Sequence, residues 1–444
     1  MPTVQRQLVA KGMRFDNAMV SNSLCCPSRS SILTGDYSHL TKVYTNVYSS
    51  TSPWGGYQAF RNTGDQRDTI AVWLQNAGYR TGLVGKYLNE YPGGPGSTPP
   101  GWDYWTAFDN STKNSDGAYY DYNIFKNIDG QEAEEPHASD PTDYSTDVLS
   151  SHAHDFLTTA PPEQPLFLYL APFAPHGPAT PAPRDLNAFS HYKPTLPPSF
   201  NESAIWDKPK YVSSAPLLTK FKAAQQVRRY RTELASLQAV DRMVAGVLND
   251  LQQTGRLQNT LIVFMSDNGI AFGEHRWTYK LTPYEESIRV PMVVRYDADP
   301  SLVSGSTSDA LAANVDIAPT FADFAGVTPG PTIGSLPLEG ASLRPVLESP
   351  GGAPAGWRTS LLLEHLAYRG IKLDPPTFCG IRTRNRLYVA YGSGEQEYYN
   401  LTRDPYELQN KAGKPRVKAS VSALRSQLDP MCQPRPPGYT FPVP

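Results

Sequence analysis

The sequence predicts an α/β protein. Helical stretches alternate with strands that are apolar along their whole length, and three of these strands run directly into distinctive polar residues. Continuous apolar runs mark strands covered on both faces, as in a sheet with helices packed on either side. A proline- and glycine-rich break near residue 350 then leads into short antiparallel strands and one closing helix, a smaller α+β unit.

The elements read in order as follows. Met1 to about Phe15 has helical spacing (Val4, Leu8, Val9, Met13). Ser28 to Ser31 open a second helix, stopped near Gly35, so that Cys25 lies just before a helix N-terminus. Thr69 to Ala77 is a third helix, followed by the strand Arg80 to Val84. Pro92 to Asp143, rich in Gly, Pro, Tyr and Asn, reads as a long excursion. A helix over Tyr144 to Leu157 precedes the apolar strand Leu166 to Leu170. Lys220 to Gln253 is the longest helix, with Leu234, Leu237, Val240, Val244, Val247, Leu248 and Leu251 on one face. Leu261 to Met265 and Val290 to Val294 are further strands. Residues 1–347 thus form a larger unit, 348–356 a linker, and 357–444 a smaller unit. In the smaller unit, Leu361 to Leu363, Thr377 to Arg384 and Arg386 to Tyr391 are strands and Val417 to Leu428 a helix.

A chain of 444 residues can bury a large core. A net charge of −2 gives no electrostatic drive toward nucleic acid or an anionic membrane. Charged residues make up only 18%, with 42 Pro and 26 Tyr, which suits a rigid, loop-rich globular protein rather than a disordered one. No apolar run approaches the ~18 residues of a membrane span. The segment Met1 to Arg6 lacks the apolar core of a signal peptide. Four cysteines are too few for a disulfide scaffold. Cys379 and Cys432 either pair in an oxidising compartment or stand as two thiols.

Ligands in open α/β sheets bind beyond the carboxyl ends of the strands. The strand ending at Val84 is followed by Gly85-Lys86, the one ending at Leu170 by Ala174-Pro175-His176, and the one ending at Met265 by Ser266-Asp267-Asn268-Gly269. If these strands are parallel, Lys86, His176, Asp267 and Asn268 converge on one rim. Each alone has a bland explanation: a solvated cap, a structural imidazole, an Asp-Asn-Gly turn. Together they suit an anion beside a hard cation. Cys25, near a helix N-terminus whose amides favour negative charge, and Arg29, whose guanidinium suits oxyanions, fit the same pocket.

The run Leu24-Cys25-Cys26-Pro27-Ser28-Arg29 resembles the signature of the sulfatase family. Met19 to Ser23 before it, Gly85-Lys86-Tyr87-Leu88-Asn89-Glu90-Tyr91 and Gly101-Trp102-Asp103-Tyr104-Trp105 are similar to the N-acetylglucosamine-6-sulfatase-like branch. Ala174-Pro175-His176, Ser266 to Gly269, Gly273 to Lys280, Tyr284-Glu285 and Arg289-Val290-Pro291 resemble further family segments, as do Glu397 to Leu401 and Asp404 to Glu407. The resemblance covers essentially the whole chain. It implies an alkaline-phosphatase-like mixed sheet with helices on both faces. It implies a sulfuric ester hydrolase acting on sulfated sugars or aryl sulfates, with Cys25 converted to Cα-formylglycine by a separate formylglycine-generating enzyme. It further implies a Ca²⁺ ion with Asp267 and Asn268 among its ligands, Arg29 holding the modified residue, Lys86 and Lys280 neutralising sulfate, and His176 near the leaving oxygen. His275, close in sequence to Lys280, is a weaker candidate.

Two departures matter. Many family members carry histidine two residues after the lysine at position 86, where this chain has Leu88, a feature of the glucosamine-sulfatase-like branch. Family members also begin with an apolar strand ending in two metal-binding aspartates, and no Asp-Asp pair occurs here. The resemblance therefore implies a sheet lacking a central strand and a natural start upstream, where a signal for a secreted, periplasmic or lysosome-like location would lie. The alternatives are a degenerate homologue that binds sulfated glycans without turnover, and a phosphoesterase of the same superfamily, against which the cysteine at position 25 argues.

Overall fold

The computed structural model describes all residues except 110–117, 303, 331–337, 350–351, 369–373 and 442–444. Its strands are β1 (Met13–Met19), β2 (Arg80–Gly85), β3 (Tyr104–Phe108), β4 (Asn123–Ile128), β5 (Gln131–Pro136), β6 (Leu166–Ala171), β7 (Ile262–Met265), β8 (Met292–Arg295), β9 (Ser306–Ala313), β10 (Ser360–His365), β11 (Phe378–Thr383), β12 (Arg386–Tyr391) and β13 (Gln396–Asn400). The helices that cover them are α1 (Cys25–Thr34), α2 (Ile70–Asn76), α3 (Ser145–Thr159), α4 (Lys220–Gln253), α5 (Ile317–Ala325) and α6 (Lys418–Met431). Thr69 caps α2 by accepting from the Val72 amide, and Thr219 caps α4 by accepting from the Lys222 amide.

Three sheets form. One has the order β5-β4-β3-β2-β6, with β2 parallel to both β3 and β6. Its two faces are covered separately. Leu149 and Phe156 of α3 and Ala239, Val240 and Met243 of α4 pack on one side. Cys26 and Leu33 of α1, Ile70 and Leu74 of α2, and Ala318 and Ala322 of α5 pack on the other. The second sheet has the order β7-β8-β1-β9, with β9 parallel to β1 and β8 antiparallel to β1 and β7. This is the predicted α/β class, but divided between two sheets.

The division falls between β6 and β7, each an edge strand. Both line one cavity of about 1790 Å³, whose walls include Leu166, Leu168, Leu170, Val263 and Met265. All four residues of β7 are only half-buried, unlike the fully buried β2 and β8.

Two elements differ from the sequence reading. The helix expected over Met1 to Phe15 is a π-helical segment, Val4–Val9, followed by β1. Burial in β1 alternates from Met13 to Phe15, a period of two that the helical spacing of the upstream apolar residues had masked. Gly12 marks the change, because a Cβ there would meet the Val294 carbonyl oxygen at 2.4 Å. The excursion Pro92 to Asp143 contains β3, β4 and β5, and β5 is a polar, largely exposed edge strand that carries no apolar signal.

The third sheet, β10-β11-β12-β13, is antiparallel throughout, as expected for the smaller unit. Its core takes in Val421, Leu424 and Leu428 of α6, and also Met19, Tyr284, Leu311 and Val315 from the larger unit. The linker segment 348–356 lies partly outside the described residues. Cys379 of β11 and Cys432, just beyond α6, are disulfide-bonded across 53 residues of sequence, and both are fully buried. Closing a loop of that length removes unfolded-state entropy equivalent to about 4 kcal/mol in the chain-entropy account. The Cys432→Ser protein should therefore unfold at clearly lower denaturant concentration than the oxidised parent. Superimposable unfolding curves would show that the bond adds nothing.

Candidate active site

Helix α1 starts at Cys25 itself, three residues earlier than expected, because Leu24 is already an extended N-cap (φ −142°, ψ 146°). Pro27 is tolerated in this first turn, where its missing N–H has no partner to lose. All ten helix residues are buried, and Gly35 ends the helix in the left-handed region (φ 84°). The reactive cysteine is thus the first residue of a rigid, interior helix rather than part of a loop.

Four elements converge on it. The Lys280 ammonium, from the loop after β7, lies 2.7 Å from Cys25 Sγ and also donates to Asn268 Oδ1 at 3.2 Å. Arg29, one turn along α1, donates through Nε to Asp267 Oδ2 (2.8 Å) and through Nη1 to the Lys86 carbonyl (2.7 Å). Asp267 follows β7 and Lys86 follows β2, so this guanidinium ties the two sheets together. His176 lies close enough to Cys25 to help lower its thiol; its Nδ1 bonds the Gly177 carbonyl (2.8 Å), and its own backbone carbonyl accepts from the Tyr119 hydroxyl (2.7 Å). Lys86 Nζ stands 6.0 Å above the Phe173 ring. The sequence-predicted residues Cys25, Arg29, Lys86, His176, Asp267, Asn268 and Lys280 therefore meet at one place.

The electrostatics follow from this packing. Burial opposes ionisation of the Cys25 thiol, but Lys280 and Lys86 outweigh it and hold the thiol well below its ordinary range. At its neighbour Cys26 burial prevails instead, and that thiol is pushed up to about 12. Burial likewise opposes the Asp267 carboxylate, yet Arg29, Lys86 and Lys280 keep it far below the usual carboxylate range. Lys280 is desolvated but raised by Cys25 and Asp267, so it stays cationic. Three cations thus face one carboxylate beside Cys25, an arrangement suited to an incoming anion.

Asp267 and Asn268 offer three side-chain oxygens to a metal, of which Asp267 Oδ2 already accepts from Arg29 and Asn268 Oδ1 from Lys280. A Ca²⁺ site needs roughly six to eight oxygens. These two residues do not make a Ca²⁺ site by themselves.

The weaker sequence candidate goes elsewhere, as does the residue at the departure from the family pattern. His275 is 1% exposed and its Nδ1 bonds Glu202 Oε2 at 2.8 Å, so it does not serve the Cys25 pocket. Leu88 is packed in the core with Tyr87, Tyr91 and Trp105. The sequence reading missed Tyr169 of β6, which lines the same cavity as Arg29 and Asp267, because it looks like one more apolar strand residue.

Comparison with known proteins agrees with this geometry. The Sulfatase family model matches residues 1–327, and the N-sulphoglucosamine sulphohydrolase C-terminal model matches residues 273–433. The chain is 31% identical to the N-acetylglucosamine-6-sulfatase of Homo sapiens, covering 97% of this chain and 82% of that one. It is 31% identical to the N-acetylglucosamine-6-O-sulfatase of Bacteroides thetaiotaomicron, covering 96% and 81%. A solved structure described as in complex with its substrate, D-glucosamine-2-N,6-O-disulfate, superposes with a TM-score of 0.78 at 29% identity, covering 97% of this chain and 92% of that one. The phosphonate monoester hydrolase of Agrobacterium radiobacter shares the fold at 20% identity and a TM-score of 0.71, covering 96% and 89%. With the family model and the curated relatives agreeing along nearly the whole length, the chain belongs to the sulfatase family and is a sulfuric ester hydrolase.

Proposed function

We propose that this chain hydrolyses the 6-O-sulfate of glucosamine-type sugars, with Cys25 as the precursor of the nucleophile. The observation that carries the reading is the Lys280 ammonium 2.7 Å from Cys25 Sγ, inside a pocket with Lys86 and Arg29. The sugar is drawn from the relatives named as N-acetylglucosamine-6-sulfatases and from the neighbour solved with a glucosamine disulfate.

In this reading a formylglycine-generating enzyme replaces the Sγ position with an aldehyde, which hydrates. The hydrate supplies two hydroxyls on one carbon: one displaces the sugar alcohol from sulfur, and the other loses its proton as the C–O bond to sulfate breaks. Lys280 donates to the oxygen standing where Sγ stands, and Lys86 takes up charge on the sulfate oxygens. Arg29, anchored by Asp267 and the Lys86 carbonyl, fixes the first turn of α1. His176 delivers a proton to the departing sugar oxygen. Asp267 remains ionised and serves as an anchor rather than a base. Ca²⁺ belongs to this reading: Asp267 and Asn268 would be among the residues that hold it, and it would supply positive charge beside the sulfate. Residues 1–347 carry the reacting groups, and 357–444 form a smaller unit packed against them. A secreted, periplasmic or lysosome-like location accords with the Drosophila melanogaster relative named an extracellular sulfatase, 34% identical over 82% of this chain and 31% of its own length. No helix among the described residues is long and apolar enough to cross a membrane.

Three measurements test the reading. In protein from a host with the maturing enzyme, the Cys25 peptide should weigh about 18 Da less than its thiol form, the change for a thiol becoming an aldehyde; an unmodified thiol throughout would refute it. Lys280→Ala should lower the rate of sulfate release from N-acetylglucosamine-6-sulfate by about 10²–10³-fold, the usual effect of removing a charge-stabilising donor. Equal rates would remove Lys280 from the site. In unconverted protein, thiolate absorbance referenced to Cys25→Ser should show Cys25 ionised below the ordinary thiol range. Since Lys280 is the cation that most lowers this thiol, Lys280→Ala should move the titration to higher pH; an unchanged midpoint would contradict the charge assignment.

A further inference from the structure

Outside the Cys25 pocket lies a second cluster of ligating side chains. His275, Glu286 and Glu407 each offer one ligand atom, and these atoms lie within 4.8 Å of one another. The three belong to separate segments: the loop that carries Lys280, the short helix Glu285–Ile288, and the turn after β13.

Each side chain is oriented by one bond and leaves one atom without a partner. His275 Nδ1 bonds Glu202 Oε2 at 2.8 Å, which assigns the proton to Nδ1 and leaves the Nε2 lone pair free. Glu286 Oε1 accepts from Ser199 Oγ at 3.3 Å, and Glu407 Oε2 accepts from the Glu285 amide at 3.0 Å. The atoms left over are His275 Nε2, Glu286 Oε2 and Glu407 Oε1, all buried and unpartnered. His275 and Glu407 are each 1% exposed. Buried polar atoms are rarely left unmatched, and here three in one cluster lack a donor. Nor do they satisfy one another, since Nε2 to Glu286 Oε2 is 3.9 Å, too long for a hydrogen bond.

The charges point the same way. Burial and the nearby Lys208 hold His275 well below the usual histidine range, so the imidazole is neutral and cannot balance the two carboxylates. Burial and neighbouring carboxylates push Glu286 up to about 7. A cation between the three atoms would relieve both the repulsion and the missing bonds.

We propose that His275, Glu286 and Glu407 bind a divalent first-row transition ion, zinc or manganese, at a site separate from the Cys25 pocket. One imidazole and two carboxylates suit these ions, and the Glu202–His275 bond is the outer carboxylate that commonly orients a ligating imidazole. Glu286 lines the large cavity, which gives the ion an entry path and a water for its remaining position. The ion would cross-link the Lys280 loop to the turn bearing Glu407, so its role is to position that loop.

The test uses the full chain, stripped with a chelator and titrated calorimetrically with Zn²⁺ or Mn²⁺ alone. Asp267→Asn with Asn268→Ala is included to remove the carboxylate and the Asn268 amide oxygen beside Cys25. One ion per chain should bind both the parent and that double variant, and raise the unfolding temperature of both. Binding should disappear in His275→Ala and weaken by about 10–100-fold in Glu202→Gln. Failure of the parent to bind, or equal binding by His275→Ala, overturns the site. If His275→Ala does not fold, the Co²⁺-loaded double variant decides: visible bands of a nitrogen-bearing, low-coordinate site support the proposal, and a spectrum of hydrated ion refutes it. Proton uptake without metal binding would show that the two carboxyls share a proton instead.

Discussion

The buried ion pair between Arg29 and Asp267 is the constraint on which the site depends. It joins the first turn of α1 to the end of β7 across two sheets that share no backbone hydrogen bonds. Removing Asp267 would leave the Arg29 guanidinium, only 8% exposed, without its counter-charge, which is the costly way to break such a pair. The same guanidinium holds the Lys86 carbonyl, so the end of β2 is fixed by the same group. Cys25, Lys86 and Asp267 thus share a common anchor, and the only carboxylate in that arrangement is used to hold a cation rather than to accept a proton.

Much of the site was legible because the chemistry sits at punctuation marks in the pattern. An apolar run followed by a polar residue marks both the end of a strand and the position where ligands are met, so Lys86, His176, Asp267 and Asn268 could be placed together. Lys280 and the identity of Cys25 came from the family resemblance, not from periodicity. Other features were hidden for physical reasons. The start of β1 was masked by helical spacing upstream of Gly12, and β5 has no apolar face to read. The destination of His275 depends on Glu202, which lies 73 residues away on a segment without regular structure. The Cys379–Cys432 bond could not be chosen over two thiols, since pairing depends on the approach of β11 and the end of α6 in space.

The division of the sheet has an energetic consequence. Strands β6 and β7 present backbone edges and half-buried apolar side chains to a cavity that also reaches Arg29, Lys86, Asp267 and Lys280. The charged pocket therefore lies at one end of a space with apolar walls. Screening by water along that space weakens the fields that shift Cys25 and Asp267, and anything that fills it strengthens them, since charges interact more strongly as the surrounding dielectric falls.

The smaller unit enters the chemistry through the loop that carries Lys280. Tyr284 donates to Glu397 Oε1 at 2.7 Å, and Glu397 also accepts from the hydroxyls of Tyr391 and Tyr399, so a buried carboxylate from β13 holds the end of that loop. Arg382 of β11 pairs with Glu285 at 2.7 Å. The C-terminal family model begins at residue 273, so it takes in the segment that these bonds tie to the smaller sheet. A lysine carried on a flexible loop would lose much of its effect, because a charge must be fixed in place to stabilise a reacting anion without reorganising. On the proposed reading, the antiparallel sheet therefore supports the active site through the loop that carries Lys280.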